Sequence, residues 1–382
     1  MSIIFHIDLD SFFVSAERLK DPSLKGKCVA VGGAGGRGVI SSCSYEARRF
    51  GVRSAMPTAQ ALRLCPKLIL RESDFAFYEE LSRKMFALFE EFTPISEAAS
   101  IDEGYMDMTG TEKLWGTPPE AAALLRARIL SVTQLTASIG IASNRLVAKI
   151  ASDYCKPNNL YWVKPGEEAA FLAPLEIKRL PGCGEVTQKW LNSEGIFKIE
   201  QLQRLSLSAL EREFGKFGHY LHESAWGRGS TAFHEDSKSR TISRERTFEL
   251  DTGEEKKLKQ CLWEMAAELG RNLREEGEYA KVVRLKLRYP PFETLTRQRV
   301  LEVPTQRDSY IYKMLETLFD ENWRHGQCLR LIGAGCVLNE GAIQLGLFDN
   351  PDEELKQDKI DELKDLLCKK YGEKALKTGR DF

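Results

Sequence analysis

At the start of the chain Ile3, Phe5, Ile7 and Leu9 alternate with Ile4, His6, Asp8 and Asp10. Apolar residues on both parities predict a buried strand whose C-terminal end carries two acids. From Cys28 to Ser42 two short β-like runs flank Gly32, Gly33, Gly35, Gly36 and Gly38, and helices are expected from about Tyr45 and after Pro57. Phe75, Tyr78, Leu81, Met85, Leu88 and Phe92 recur at steps of three and four, which predicts a long helix over Phe75–Phe92. A strand over Ser100–Met108, a helix over Pro119–Leu135, a strand over Ala137–Ala142 and a helix over Leu146–Cys155 complete a mixed α/β domain. The segment after its first strand is a compact insertion. Beyond Pro165 short helices with glycine punctuation run to about Gly229.

The stretch Ser230–Ser243, rich in Ser, Thr and charge, reads as a linker. After it come a strand (Arg244–Leu250), a helix (Glu254–Glu276, with Leu258, Leu262, Met265, Leu269 and Leu273 on one face), two strands (Lys281–Arg288 and Thr294–Val303), a helix (Gln306–Trp323) and a strand (Leu329–Leu338). This βαββαβ order is the ferredoxin-like signature. Arg284, Lys286 and Arg288 share one strand face opposite Val283, Leu285 and Leu287. Arg297 with Arg299, and Arg244 with Arg246, are paired in the same way, so a basic outer sheet face is expected. The tail from Asp349 is charged and reads as one amphipathic helix.

The 382 residues allow two to four domains at roughly 150 residues each. With 42% apolar and 29% charged residues the chain is an ordinary globular one. Lys and Arg number 55 against 56 Asp and Glu, a net charge of −1, which excludes a uniformly basic coat protein but not a local basic surface. Between Lys281 and Arg330 there are ten basic and six acidic residues, so neutrality is a sum over segregated surfaces. Nine scattered cysteines without C-x-x-C spacing predict reduced, mostly buried thiols, and the five histidines form no zinc pattern. No signal peptide or stretch of eighteen apolar residues is found, so a cytoplasmic protein is expected.

Asp8 and Asp10 end one strand and Asp102 and Glu103 begin another. Neighbouring strand ends can gather such acids, and converging carboxylates repel one another unless they hold a hard divalent cation. Alternation puts Glu103 and Asp102 on opposite faces unless Asp102 lies at a strand end or bulge. Taken alone, these acids read rather as two exposed turn clusters, since acids at strand ends are common. Tyr45 and Arg48, three apart on a helix, could together bind a triphosphate, and Lys156 at a helix end could add a third phosphate contact. The run LPGCGE at 180 to 185 suits a tight hairpin whose backbone N–H groups reach a phosphate.

Together these pieces resemble the Y-family DNA polymerases, most closely the bacterial polymerase IV class of translesion enzymes. The resembling text is HIDLDSFFVSAE at 6 to 17, RGVISSCSYEARRFGVRSAMPT at 37 to 58, SIDEGYMDMT at 100 to 109, GIASNRLVAKIASDYCKPN at 140 to 158 and LPGCGEV at 180 to 186. The resemblance implies an α+β multidomain fold. A ferredoxin-like palm (1–10 and 74–165) carries a small fingers insertion (11–73), followed by a helical thumb with a helix-hairpin-helix (166–230), a linker (231–243) and a βαββαβ little finger (244–341). It implies two Mg²⁺ ions held by Asp8, Asp102, Glu103 and the Leu9 carbonyl, with Asp10 outside the set. Phe13, beside Phe12, would be the steric gate against ribonucleotides. Ser42, Tyr45, Arg48 and Lys156 would contact the dNTP, and Ile40, Ser41 and Ser42 would roof the nascent base pair. Gly182, Gly184, Arg244, Arg246, Arg284, Lys286, Arg288, Arg297 and Arg299 would contact primer–template DNA.

Gln344, Leu345, Leu347 and Phe348, in the segment 342–382, are similar to the motif that docks on the bacterial sliding clamp. The expected protein is a monomeric polymerase of low fidelity, without proofreading. Two other readings are a catalytically silent DNA-binding or clamp-associated scaffold and a nucleotide cyclase, the latter leaving the last 200 residues unexplained. The sequence departs from the family pattern at Gly104, where Ala is common and a looser site is expected, and at Met106, where Leu is usual.

Overall fold

The computed structural model describes residues 2–233, 240–339 and 360–371, except 362 and 368. It divides into two units, Met1–Glu235 and Asp236–Phe382.

The first unit is organised by a five-stranded sheet in the order β5-β6-β1-β7-β8. Its strands are β1 (Ile4–Leu9), β5 (Ser96–Ala98), β6 (Glu103–Asp107), β7 (Ala137–Ala142) and β8 (Leu160–Trp162). β1 runs antiparallel to both neighbours, and all six of its residues are buried, as its doubly apolar pattern requires. Phe5, Ile7 and Leu9 pack with Tyr78, Leu81, Met85, Phe89, Leu125 and Ile129 of the helices Phe75–Phe92 and Pro118–Thr133. Each such fully buried side chain contributes about 1.5–3 kcal/mol. On the opposite face Ile4 joins Val147, Ile150 and Ala151 of the helix Arg145–Cys155, in a core that continues through Leu172, Leu180, Leu191 and Leu210 of the following short helices.

The insertion forms a second, three-stranded sheet in the order β3-β2-β4, made of β2 (Val29–Gly32), β3 (Ile40–Cys43) and β4 (Ile69–Arg71). Its core is small: Cys28, Ala30, Ile40, Cys43, Ala47, Val52, Ala61, Cys65 and Leu68.

In the second unit β9 (Thr241–Thr252), β10 (Ala280–Arg288), β11 (Thr294–Thr305) and β12 (Leu329–Leu338) form an antiparallel sheet in the order β11-β10-β12-β9. β12 lies between β9 and β10, and β10 between β11 and β12, so two split βαβ units interlock. The helices Glu255–Glu276 and Asp308–Asn322 cover one face, burying Leu258, Leu262, Met265, Leu269 and Leu273.

Several boundaries differ from the sequence reading. Only Glu103–Asp107 of the expected strand Ser100–Met108 is extended, because Ser96–Ala98 pairs back on it and residues 99–102 make the turn. The strand expected from Arg244 begins earlier, at Thr241, which pairs with Val337. The helix Phe12–Lys20 and the three-residue strands β4, β5 and β8 had no counterpart in the pattern. All described cysteines are free thiols, buried except Cys328. Among the described residues no helix is long and apolar enough to cross a membrane. The described residues of 360–371 are helical, and Arg274 Nε on the long helix Glu255–Glu276 binds Asp365 there at 2.6 Å. Gln344, Leu345, Leu347 and Phe348 lie outside the described residues.

Candidate active site

β1 sends alternate side chains to two surroundings. Those of His6 and Asp8 lie on the face that the helix Arg145–Cys155 covers. Asp8 stands directly opposite Glu103 on β6 and Ser138 on β7, and residues opposed in an antiparallel ladder share a face with close Cβ atoms. Asp102 lies in the turn before β6, outside the alternation that would have turned it away. Its carbonyl accepts the Leu9 N–H at 3.0 Å and its Oδ1 accepts Ser100 Oγ at 2.6 Å. The register of three strands therefore brings Asp8, Leu9, Asp102 and Glu103 to one sheet end.

Two lysines enter this acidic corner from one helix and its C-cap. Lys156 Nζ is 2.6 Å from Asp8 and 2.9 Å from Asp153, and Lys149 Nζ is 2.6 Å from Glu103. Asp8 is only 8% exposed. Burial pushes its carboxyl up to about 7 against the pull of Lys156, and the charge of Asp102 adds to the rise. The His6 ring and then Lys149 hold Glu103 down at about 2 despite partial burial. Burial alone would lower Lys156, but Asp8 and Asp153 keep it above the ordinary lysine range. Among the described residues no three His, Cys, Asp or Glu side chains are grouped to hold an ion, because Asp8 is turned on Lys156 and Glu103 on Lys149. The donor chemistry nevertheless suits a hard divalent cation. A buried carboxyl with a raised pKa beside a second acid is relieved by a positive charge placed between them.

Asp10, by contrast, is fully engaged. Ser138 Oγ donates to its Oδ1 and the Asn158 N–H to its Oδ2, both at 2.8 Å, and Ser15 Oγ donates to its carbonyl at 2.6 Å. It ties the turn after Lys156 to the end of β1.

Tyr45 and Arg48 share a helix face as expected, the guanidinium lying 4.8 Å from the phenol centroid. Tyr45 Oη and Ser11 Oγ are both buried neighbours, and neither makes a well-formed hydrogen bond. Burial also raises the Tyr45 pKa. Ser42 is half-buried on β3 opposite Val31. Ile40 is not available to roof a base pair, because strand alternation turns it into the core of the insertion at 0% exposure, whereas Ser41 is exposed. Phe12 is buried. Phe13 stacks on Tyr78 at 4.6 Å and meets the edge of Phe75 at 5.8 Å, so its ring is clamped from two sides.

Gly104 is not a loose spot. A Cβ there would come within 2.8 Å of Phe86, 2.9 Å of Phe89 and 3.0 Å of the Glu97 carbonyl. The two rings occupy the space a methyl group would need.

Gly182 adopts φ +81° in the hairpin before the helix Glu185–Ser193. The N–H groups of Cys183 and Gly184 are spent on Leu180 and Gly182 carbonyls, so the donors left for a phosphate are those of that helix's first turn.

In the second unit the register corrects the basic face. Arg284, Lys286 and Arg288 stand on the face away from the helices, over Gly335, Gly333 and Leu331 of β12. Arg244 and Arg246 oppose Ala334 and Ile332, and Arg297 and Arg299 oppose Leu285 and Val283, so all four lie on the helix side. Arg244 binds Glu268 at 2.9 Å, Arg246 binds Glu264 at 2.6 Å, Arg299 binds Glu321 at 2.8 Å and Arg297 binds Asn322 at 3.1 Å. Same-strand spacing correctly paired them but could not say which face each pair takes.

His6, Ser11 and Lys149 touch the site but were not singled out from sequence. His6 shares the parity of Asp8, and Lys149 lies one helical turn before Asp153, which are weak signals.

Residues 7–153 match the impB/mucB/samB family, residues 239–345 the C-terminal domain of that family, and residues 178–229 the thumb domain described for DNA polymerase-iota. The chain is 37% identical over 374 residues to a DNA polymerase IV of Desulfatibacillum aliphaticivorans, covering 97% of this chain and 94% of that one. It is 38% identical over 383 residues to a DNA polymerase IV of Treponema denticola, covering 99% and 96%. Among solved structures it is similar to a Y-family DNA polymerase chimera of Dbh and Dpo4, with a TM-score of 0.76, 27% identity and coverage of 88% of this chain and 98% of that one. The insertion ternary complex of Dbh DNA polymerase is similar at a TM-score of 0.62, with the same identity and coverage.

Proposed function

Because this chain belongs to the Y-family DNA polymerases, in the DNA polymerase IV class, we propose that Asp8, Asp102, Glu103 and the Leu9 carbonyl hold two Mg²⁺ ions for nucleotidyl transfer to a primer 3′-OH. The chain is a DNA-directed DNA polymerase of the translesion type, and it acts on template–primer DNA and dNTPs; polymerases of this family work with divalent metal ions. The scaffold reading gains no support from these relatives. The observation that carries the site assignment is the buried Asp8 set opposite Glu103, with the Asp102 backbone bonded to Leu9. When bound, the ions lower the pKa of the attacking hydroxyl and offset charge on the leaving pyrophosphate.

The protein's own groups do the rest. Lys156 leaves Asp8 for a phosphate oxygen while Asp153 retains it near the site. Tyr45 Oη and Ser11 Oγ, buried and without a well-formed hydrogen bond, donate to triphosphate oxygens beside Arg48, with Ser42 adjoining. Phe13, fixed by Tyr78 and Phe75, fills the space of a ribose 2′-OH. The first turn of Glu185–Ser193, presented by Gly182 and Gly184, and the open face bearing Arg284, Lys286 and Arg288 follow the DNA backbone without reading sequence. Gln344, Leu345, Leu347 and Phe348 dock a monomer on the sliding clamp, which supplies local concentration where backbone contacts alone are weak. Synthesis without proofreading is part of this reading.

Primer extension with Asp8→Ala and Glu103→Ala tests the assignment. Loss of incorporation with retained DNA binding is expected, and full activity in either variant would refute it.

A further inference from the structure

His6 is a fully buried polar side chain beneath the acidic corner, at 0% exposure. Its ring stands edge-on to Tyr105 at 4.6 Å, and its Nδ1 lies 2.6 Å from Ser152 Oγ. Its Nε2 has no hydrogen-bond partner and points at Glu103 Oε2, 3.5 Å away. The approach is enforced from behind: a Cβ on Gly140, opposite His6 on β7, would lie 1.9 Å from the Ala148 carbonyl and 2.3 Å from the Ser152 N–H. Only glycine lets the helix Arg145–Cys155 come close enough to deliver Ser152 to the ring.

We infer that His6 is a positioning residue for Glu103, a neutral ring carrying its proton on Nε2, accepting from Ser152 at Nδ1 and steering the Glu103 carboxylate. Two proton arrangements fit the distances. Ser152 Oγ can donate to the Lys149 carbonyl at 2.8 Å, which puts the ring proton on Nδ1 and leaves an Nε2 lone pair facing a carboxylate. Alternatively Ser152 donates to Nδ1, and Nε2–H faces Glu103. The first gains a bond to a helix carbonyl that already has a backbone partner in reach, at the cost of lone-pair repulsion. The second turns an N–H dipole toward the carboxylate 3.5 Å away, an attraction strengthened by burial. The second therefore prevails. With Lys149 Nζ on the same oxygen at 2.6 Å, Glu103 is held from two directions, its other oxygen left for a cation. Groups that orient a metal-binding side chain in this way are typically worth about 10–100-fold in affinity or activity.

The inference rests on Glu103 being a metal carboxylate, and the experiment separates the two. Nitrogen-15 NMR of the full chain labelled at histidine should show His6 as the Nε2–H tautomer, and Ser152→Ala should shift that signal. In the enzyme–DNA–dNTP complex, His6→Leu should weaken Mn²⁺ binding, read by electron paramagnetic resonance, by about tenfold. It should lower kcat similarly with dNTP KM little changed, and His6→Gln, which keeps an N–H donor, should recover part of both. An Nδ1–H spectrum overturns the inference, as does a folded His6→Leu with parental Mn²⁺ affinity and kcat while Glu103→Ala is inactive. Full activity of Glu103→Ala would instead overturn the carboxylate assignment.

Discussion

Gly140→Ala should damage both the fold and the chemistry, through one atom. The new Cβ would sit 1.9 Å from the Ala148 carbonyl oxygen, 2.3 Å from the Ser152 nitrogen and 3.0 Å from the Ala148 carbonyl carbon. These are backbone atoms of a helix, so no side chain can rotate away. To regain a contact of 3.4 Å the helix Arg145–Cys155 must retreat by about 1.5 Å. Overpacking against backbone belongs at the upper end of the usual range, about 3 kcal/mol. For a unit of this size that lowers Tm by about 6–12 °C. The same helix carries Lys149 and leads into Lys156, and a displacement of about 1 Å at such groups can cost 10²-fold in rate. Thermal unfolding followed by circular dichroism and single-turnover primer extension read the two effects. Gly36→Ala, whose Cβ would meet nothing within 4 Å, serves as the neutral comparison. A Gly140→Ala protein with unchanged Tm and extension rate would refute the reasoning about helix approach.

Other outcomes follow from the same geometry. Asp8 titrates near 7, and a cation binds its ionised form, so divalent metal affinity should rise as pH increases from 6 to 8 and flatten above; calorimetry in buffers of different ionisation enthalpy should show proton release on binding at pH 6.5, and a pH-independent affinity would contradict it. The sign for metal-free stability is opposite: a folded-state pKa above the ordinary aspartate value of 3.8 means stability from this group falls as pH rises from about 4 to about 7. Phe13→Ala should admit ribonucleotides in primer extension, and unchanged sugar selectivity would count against the gate. Removing Arg284, Lys286 and Arg288 together should reduce the slope of log K against log salt by about 2.7, whereas Arg244→Ala and Arg246→Ala should chiefly lower Tm by freeing Glu268 and Glu264. Gly104→Ala should destabilise by about 1–3 kcal/mol in urea unfolding, since Phe86 and Phe89 must move.

Elements with a sustained period were legible from sequence alone: Phe75–Phe92, Ala137–Ala142 and Leu329–Leu338 have the ends that their apolar patterns predict. Three-residue strands such as β4 and β8 carry too few positions to show a period, and in Phe12–Lys20 the adjacent Phe12, Phe13 and Val14 blur a helical one. Asp8 and Glu103 could be nominated as neighbours because one lies at the end of a strand and the other at the start of another. The faces of Arg244, Arg246, Arg297 and Arg299 could not be read, because facing depends on which residue of another strand stands opposite. Likewise the buried hydroxyls of Ser11 and Tyr45 become visible only once tertiary burial is known. Ser11 has φ +45°, a backbone setting that a serine does not advertise.

The two-sided burial of β1 makes the frame of six residues a unit of heredity. Phe5, Ile7 and Leu9 answer to one core while His6 and Asp8 answer to the acidic corner. A single codon gained or lost between Ile4 and Asp8 would exchange the two sets, placing a carboxylate in the core of Tyr78 and Met85 and an isoleucine (on a gain) or a leucine (on a loss) beside Glu103. Point substitutions can drift through this strand one position at a time. Length changes cannot, so lineages of this polymerase are expected to vary the spelling of the segment while its residue count stays frozen.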